Sequence, residues 1–128
     1  MDIEFTIQQV AKETGVSEYT LRYYENIGLM MNVKRAENGH RRYSVDDIEW
    51  ISFLKQLKAT GMPLKKIRAF AALRREGIQT SKQRREMLEA HRDEVLQQIE
   101  MLHDCLKVID YKIQRHRKNE ANLSIKTK

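Results

Sequence analysis

Residues 14–25 read Thr14-Gly15-Val16-Ser17-Glu18-Tyr19-Thr20-Leu21-Arg22-Tyr23-Tyr24-Glu25. Gly15 can stop one helix by supplying the left-handed residue a helix end needs. Ser17 can start the next by offering its hydroxyl to a free backbone N–H. Two helices joined by so tight a turn form a helix-turn-helix when the residues at their crossing are small or apolar. Val10, Ala11, Val16, Leu21 and Tyr24 stand at those crossing positions. That leaves Ser17, Glu18, Tyr19, Arg22 and Tyr23 on the outer face of the second helix. Tyr19, Arg22 and Tyr23 are spaced i, i+3, i+4 and project together. Such a face suits a major groove: Arg can fork to guanine or to phosphate, and Tyr can donate to phosphate or pack on a thymine methyl. Tyr24 is expected in the core and Tyr23 outside it.

Working outward, Thr6 and Gln9 have capping-box spacing and should open the first helix. The second helix is expected over Glu18–Ile27, ended by Gly28. Asn38-Gly39, between Val33 and Tyr43, is the strongest short hairpin signal, read here as a turn with both residues at positive φ. Ser44 and Asp47 form a second capping box, opening a helix to Thr60 that Gly61 stops. Pro63 suits a first helical position, where its missing N–H costs nothing. A fourth helix follows, with Leu64, Ile67, Phe70 and Leu73 on one face.

Beyond residue 77 the texture changes. Every Trp and Phe, the one Pro and four of the five Tyr lie within 1–76, whereas residues 80–118 contain neither Gly nor Pro. Leu88, Val95, Leu102 and Ile109 recur every seven residues, and Ile99, Leu106 and Ile113 each follow one of them by four. This is a coiled-coil seam, interrupted by Arg92 and His116 near its ends. From Ser81 to His116 the helix spans roughly 54 Å at 1.5 Å per residue. Its apolar stripe needs a cover, and a second copy of the helix supplies one. The domains expected are thus a head over 1–76, a linker and dimerisation helix over 77–118, and a flexible tail over 119–128.

The formal net charge of +6 favours polyanionic partners. No apolar run approaches the roughly 18 residues of a membrane span, and the start of the chain does not resemble a secretory signal. The single cysteine, Cys105, cannot form an internal disulfide, which fits a reducing cytoplasm. There is no nucleophile with a base, no apolar carboxylate pair and no phosphate-cradling glycine loop, so an enzyme is not expected. His91, His103 and His116 are too far apart along one helix to share a metal, and no cofactor is implied.

Thr20-Leu21-Arg22-Tyr23-Tyr24-Glu25, then Gly28-Leu29, then Asn38-Gly39-His40-Arg41-Arg42-Tyr43-Ser44, then Asp47-Ile48, together resemble the MerR family of bacterial transcription regulators. The resemblance covers about residues 5–76. It implies a mainly α fold: a winged helix-turn-helix head with a small β-hairpin wing, then a long C-terminal helix forming an antiparallel coiled coil. It also implies that Arg22 and Tyr23 contact backbone and bases, that Arg41 braces the wing against phosphate, and that Tyr43 packs beneath the wing. Arg42 could reach phosphate or be a solvated strand residue. Lys65 and Lys66, at the start of the fourth helix, suit a second wing, because a helix N-terminus attracts phosphate. With Ser17 and Tyr19 they complete the candidate DNA-binding set.

The resemblance further implies a homodimer on promoter DNA, bending and undertwisting it for RNA polymerase. The effector stays open. Metal-sensing members carry cysteines at the end of the dimer helix, where this chain has Arg115-His116-Arg117-Lys118-Asn119. An aldehyde- or thiol-stress branch carries one in the third helix, where this chain has Ser52 and Phe53. Cys105, flanking the seam, is either an inert cysteine or a thiol sensor. Two other readings are an architectural DNA-bending protein without promoter specificity and a coiled-coil adaptor. A pure bender would show a basic arm and an apolar wedge instead of base-reading groups.

Overall fold

The computed structural model describes residues 3–30 and 33–126. Helices α1 (Ile7–Thr14) and α2 (Glu18–Asn26) precede a two-stranded antiparallel hairpin, β1 (Lys34–Arg35) and β2 (Arg41–Arg42). Helices α3 (Val45–Ala59) and α4 (Leu64–Glu76), a single 3-10 turn (Ile78–Thr80) and α5 (Ser81–Lys126) complete the chain. It divides into two compact units, residues 1–88 and 89–128.

In the first unit both expected capping boxes form. The Gln9 N–H donates to Thr6 Oγ1 at 3.2 Å and the Thr6 N–H to Gln9 Oε1 at 2.8 Å. The Asp47 N–H donates to Ser44 Oγ at 3.1 Å and the Ser44 N–H to Asp47 Oδ2 at 2.9 Å. Gly15 ends α1 at φ 73°. The Thr14 hydroxyl donates to the Val10 carbonyl and accepts from the Val16 N–H. Lys55 of α3 reaches the same turn and donates to the Thr14 carbonyl at 3.1 Å.

One core joins the helices. Val10, Leu21, Tyr43, Ile51, Leu54 and Ile67 are fully buried, with Tyr24, Trp50 and Phe70 beside them. The Trp50 indole N–H donates to the Leu29 carbonyl at 2.7 Å, tying the segment after α2 to α3. The indole ring stacks on Phe70 at 5.9 Å, with the Arg74 guanidinium 4.4 Å from its centroid. Phe5 and Tyr43 exchange backbone hydrogen bonds of 2.8 and 2.9 Å, an isolated bridge beside the hairpin.

Several expectations need correction. The hairpin turn is longer than a two-residue Asn38-Gly39 turn. Arg35 pairs with Arg41, the Ala36 N–H donates to the His40 carbonyl, and the Gly39 N–H donates to the Ala36 carbonyl. That is a three-residue turn with its left-handed residue at Gly39, φ 83°. Helix α2 ends at Asn26 with Ile27 as its cap. Pro63 is the N-cap of α4, one position before its expected place. Leu64, expected on the apolar face of α4, is exposed, and Ala71 is buried with Ile67 and Phe70.

The junction into α5 is pinned. The buried Thr80 hydroxyl donates to the Leu73 carbonyl at 2.7 Å, and Arg84 Nε donates back to it at 3.0 Å. Met87 and Leu88 pack on the head core, so Leu88, assigned by spacing to the start of the seam, is half-buried there. The unit boundary therefore falls inside α5 and not at the change in composition.

In the second unit α5 continues to Lys126, past the end expected near Lys118. Asn119–Lys126 contains no Gly or Pro, so nothing in it breaks a helix already running. Thr127 and Lys128, the end of the expected tail, lie outside the described residues.

Gly15→Ala tests the turn. A Cβ there meets Lys55 Nζ at 2.7 Å, at a φ that side chains rarely adopt. The lysine can swing aside, so the cost is set by the backbone, about 1–2 kcal/mol. Urea unfolding followed by circular dichroism should show that loss.

Candidate nucleic-acid interface

Helix α2 presents its outer face as its sequence requires. Leu21 and Tyr24 are buried beneath it, while Tyr19 (79 % exposed), Arg22 and Tyr23 (41 %) point outward. Ser17 is also exposed, but its hydroxyl is already engaged. It accepts from the Thr20 N–H at 3.1 Å and donates to Thr20 Oγ1 at 2.9 Å. The geometry thus gives Ser17 a capping task before any contact with a ligand. Arg22 lies 3.5 Å from Glu18, one turn earlier. Both partners are solvent-exposed, so the pair is worth little and can open for an anion.

The wing stands beside this face. Thr6, Ile7 and Gln8 at the start of α1, Glu18 and Arg22 of α2, and Asn38–Arg42 of the wing line one open groove. Arg22, Arg41 and Arg42, far apart in sequence, thereby converge. Their positions differ in one respect that spacing did not reveal. The Arg41 Nε donates to Glu25 Oε2, and Arg35 Nη2 donates to Glu25 Oε1 at 3.3 Å. Arg41, expected to reach phosphate, is thus engaged within the head. Arg42 is half-buried and lines this groove and a neighbouring hollow beside Ser44 and Asp47.

Tyr43 lies wholly buried below the wing, and its hydroxyl has no hydrogen-bond partner. Burial pushes its pKa above the ordinary 10.0, with the Arg41 guanidinium pulling the other way. Lys65 and Lys66 sit exposed in the first turn of α4, outside the groove. Lys65 shares a separate shallow hollow with Leu64 and Arg68. Arg68 escaped the sequence reading, although it lies three residues after Lys65 on the same helix face.

On α5 the seam residues Ile99, Leu102, Leu106, Ile109 and Ile113 are exposed along the single chain, and Val95 is half-buried. Leu123, fourteen residues after Ile109, continues their register and is 62 % exposed. Its spacing was visible in the sequence but was set aside with the tail. Cys105 is exposed.

A helix-turn-helix with a basic hairpin at its side and a long apolar-striped helix behind it defines a class, the winged-helix regulators. Family models support a narrower statement. The MerR HTH family regulatory protein model matches residues 5–74, and the MerR DNA-binding model matches residues 48–111. An uncharacterized HTH-type transcriptional regulator of Haemophilus influenzae is 38 % identical over 122 residues, covering 95 % of this chain and 90 % of its own. The regulator AdhR of Bacillus subtilis is 37 % identical over 71 % of this chain and 65 % of its own.

Among solved structures, HiNmlR, a MerR family regulator lacking the sensor domain and bound to promoter DNA, superposes with a TM-score of 0.85. The identity is 38 %, and the match covers 93 % of this chain and 94 % of that one. A MerR family regulator from Bacillus thuringiensis gives a TM-score of 0.79 at 33 % identity, covering 88 % of this chain and 99 % of its own. The chain belongs to the MerR family of transcription regulators.

Tyr43→Phe should leave the fold intact and add up to about 1 kcal/mol, since it removes an unpaired buried hydroxyl. The pH dependence provides a second readout. A phenol whose folded pKa is raised gives a contribution that is whole below the ordinary value of 10.0 and lost as pH rises above it. Thermal melts from pH 8 upward should show alkaline destabilisation that is weaker in Tyr43→Phe.

Proposed function

We propose that this chain binds promoter DNA as a homodimer, through the outer face of α2 and the wing, and distorts it to control RNA polymerase. The observation that carries the reading is the convergence of Arg22 and Arg42 on one groove beside the exposed Tyr19 and Tyr23. Guanidinium groups answer phosphate or guanine, and the tyrosines supply hydroxyls and apolar surface for backbone and base edges. Lys65 and Lys66 add a backbone grip at the start of α4. The promoter complex of HiNmlR supports the same use of this fold. We place the protein in the cytoplasm, with the genome it reads.

Dimerisation follows from the stripe on α5. Five large aliphatic side chains in heptad register, exposed on one chain, need a matching surface, and an antiparallel copy provides it. Two heads held at a set separation meet equivalent major-groove faces about 34–36 Å apart per turn of B-DNA. Where that separation and angle do not fit straight DNA, the duplex must deform, at order 1–6 kcal/mol for a bend of 40–90°. An inducer would then need only to alter the angle between the heads. In that scheme Cys105 serves at most as an exposed thiol and takes no part in reading DNA.

Fragments of the source genome retained by the protein would give the operator, and end-labelled duplexes would give its bend by energy transfer. A bent, near-palindromic operator with a hypersensitive, uncontacted centre is expected; a straight one under all conditions would falsify the distortion mechanism. Arg22→Ala should weaken binding at every salt concentration and reduce the log–log salt slope by about one. Leu102→Glu should give monomers in sedimentation and abolish operator binding, because an unpaired buried charge costs several kcal/mol. A Leu102→Glu variant that remains dimeric would move the interface elsewhere.

A further inference from the structure

Glu25 is an acid on a helix whose outer face meets a polyanion, and it lies in that helix's last turn, where the backbone dipole already disfavours negative charge. The wing explains its presence. Each strand is two residues long, and all four residues are cationic: Lys34 pairs with Arg42, and Arg35 with Arg41. Directly opposed residues of an antiparallel pair share a face, and like charges there repel. A two-stranded ribbon has little stability of its own with which to resist. The Glu25 carboxylate takes Arg41 through one oxygen and Arg35 through the other, so it engages one residue from each strand. Arg35 also donates to the Gly39 carbonyl at 3.1 Å, which carries the tie to the tip of the turn.

We propose that Glu25 is a positioning residue for DNA binding, whose carboxylate cancels the Arg35–Arg41 repulsion and anchors the wing to the end of α2. The idea rests on the DNA-binding reading above. Removing the acid makes the face more positive, so charge alone would tighten DNA binding. Losing the anchor frees the wing from α2, and the phosphate contacts it supplies through Arg42 are lost.

The test compares Glu25→Gln, Glu25→Asp and Glu37→Gln in the full chain, on a duplex fragment recovered from the source genome. Glu37 lies exposed in the wing turn and serves as the charge control. Glu25→Gln should bind about tenfold more weakly, with a salt slope smaller by about one. Glu25→Asp keeps the charge but is one methylene shorter, and it should fall between Glu25→Gln and wild type. Glu37→Gln should bind equally or more tightly. In the free protein, hydrogen exchange at the Ala36 amide, which donates to His40, should quicken in both Glu25 variants.

Glu25→Gln binding as tightly as Glu37→Gln, with Ala36 exchange unchanged, would overturn the proposal and leave Glu25 a mere competitor for the arginines. If Glu25→Gln does not fold, Glu25→Asp decides: binding and exchange equal to wild type reject the anchor, and weaker binding with faster exchange supports it. A wild-type chain that binds no duplex would remove the DNA-binding reading, and Ala36 exchange would still report whether Glu25 holds the wing.

Discussion

A helix of nine residues does not hold itself together in water; isolated helices below about 12–15 residues are marginal. Helix α2 is of that length, and the rest of the head supplies what it lacks. Ser17 satisfies an N–H at its start, and Gly28 turns the chain away beyond its end. Leu21 and Tyr24 seat it on the core formed by α1, α3 and α4. Lys55 fixes the turn before it by binding the Thr14 carbonyl, and Trp50 fixes the segment after it by binding the Leu29 carbonyl. A reading helix held from both ends and from below can keep its outer face for a ligand, because none of its outward residues is needed for folding.

Much of this was legible in the sequence because it is local. Capping boxes, left-handed glycines and heptads are relations between residues three to seven apart, and α1, α2, α3 and the stripe on α5 declare themselves that way. Tyr23 outside and Tyr24 inside follow from helix periodicity alone. The site was legible as a set of residue types, since an i, i+3, i+4 row of Tyr and Arg has few other uses on a helix-turn-helix.

Side-chain destinations across longer separations were not legible. Arg41 finds Glu25, sixteen residues earlier, and spacing cannot say whether an arginine near a wing turns to phosphate or to a carboxylate. Leu88 satisfies the heptad and also lies within reach of the head core, and only the fold decides where it packs. The polar end of α5 looked structureless because it lacks an apolar rhythm. A helix already nucleated needs no such rhythm to propagate, only the absence of a breaker.

The single tryptophan has a use of its own. Trp50 lies between α3 and α4, stacked on Phe70 and capped by the Arg74 guanidinium, while the face offered to DNA contains only tyrosines. Its fluorescence therefore reports the α3–α4 contact and is not shielded by a nucleic acid lying on α2. The protein carries an optical gauge set behind its reading face. A change in that signal when an inducer is added would record strain inside the head, separately from whether the head holds or releases its ligand.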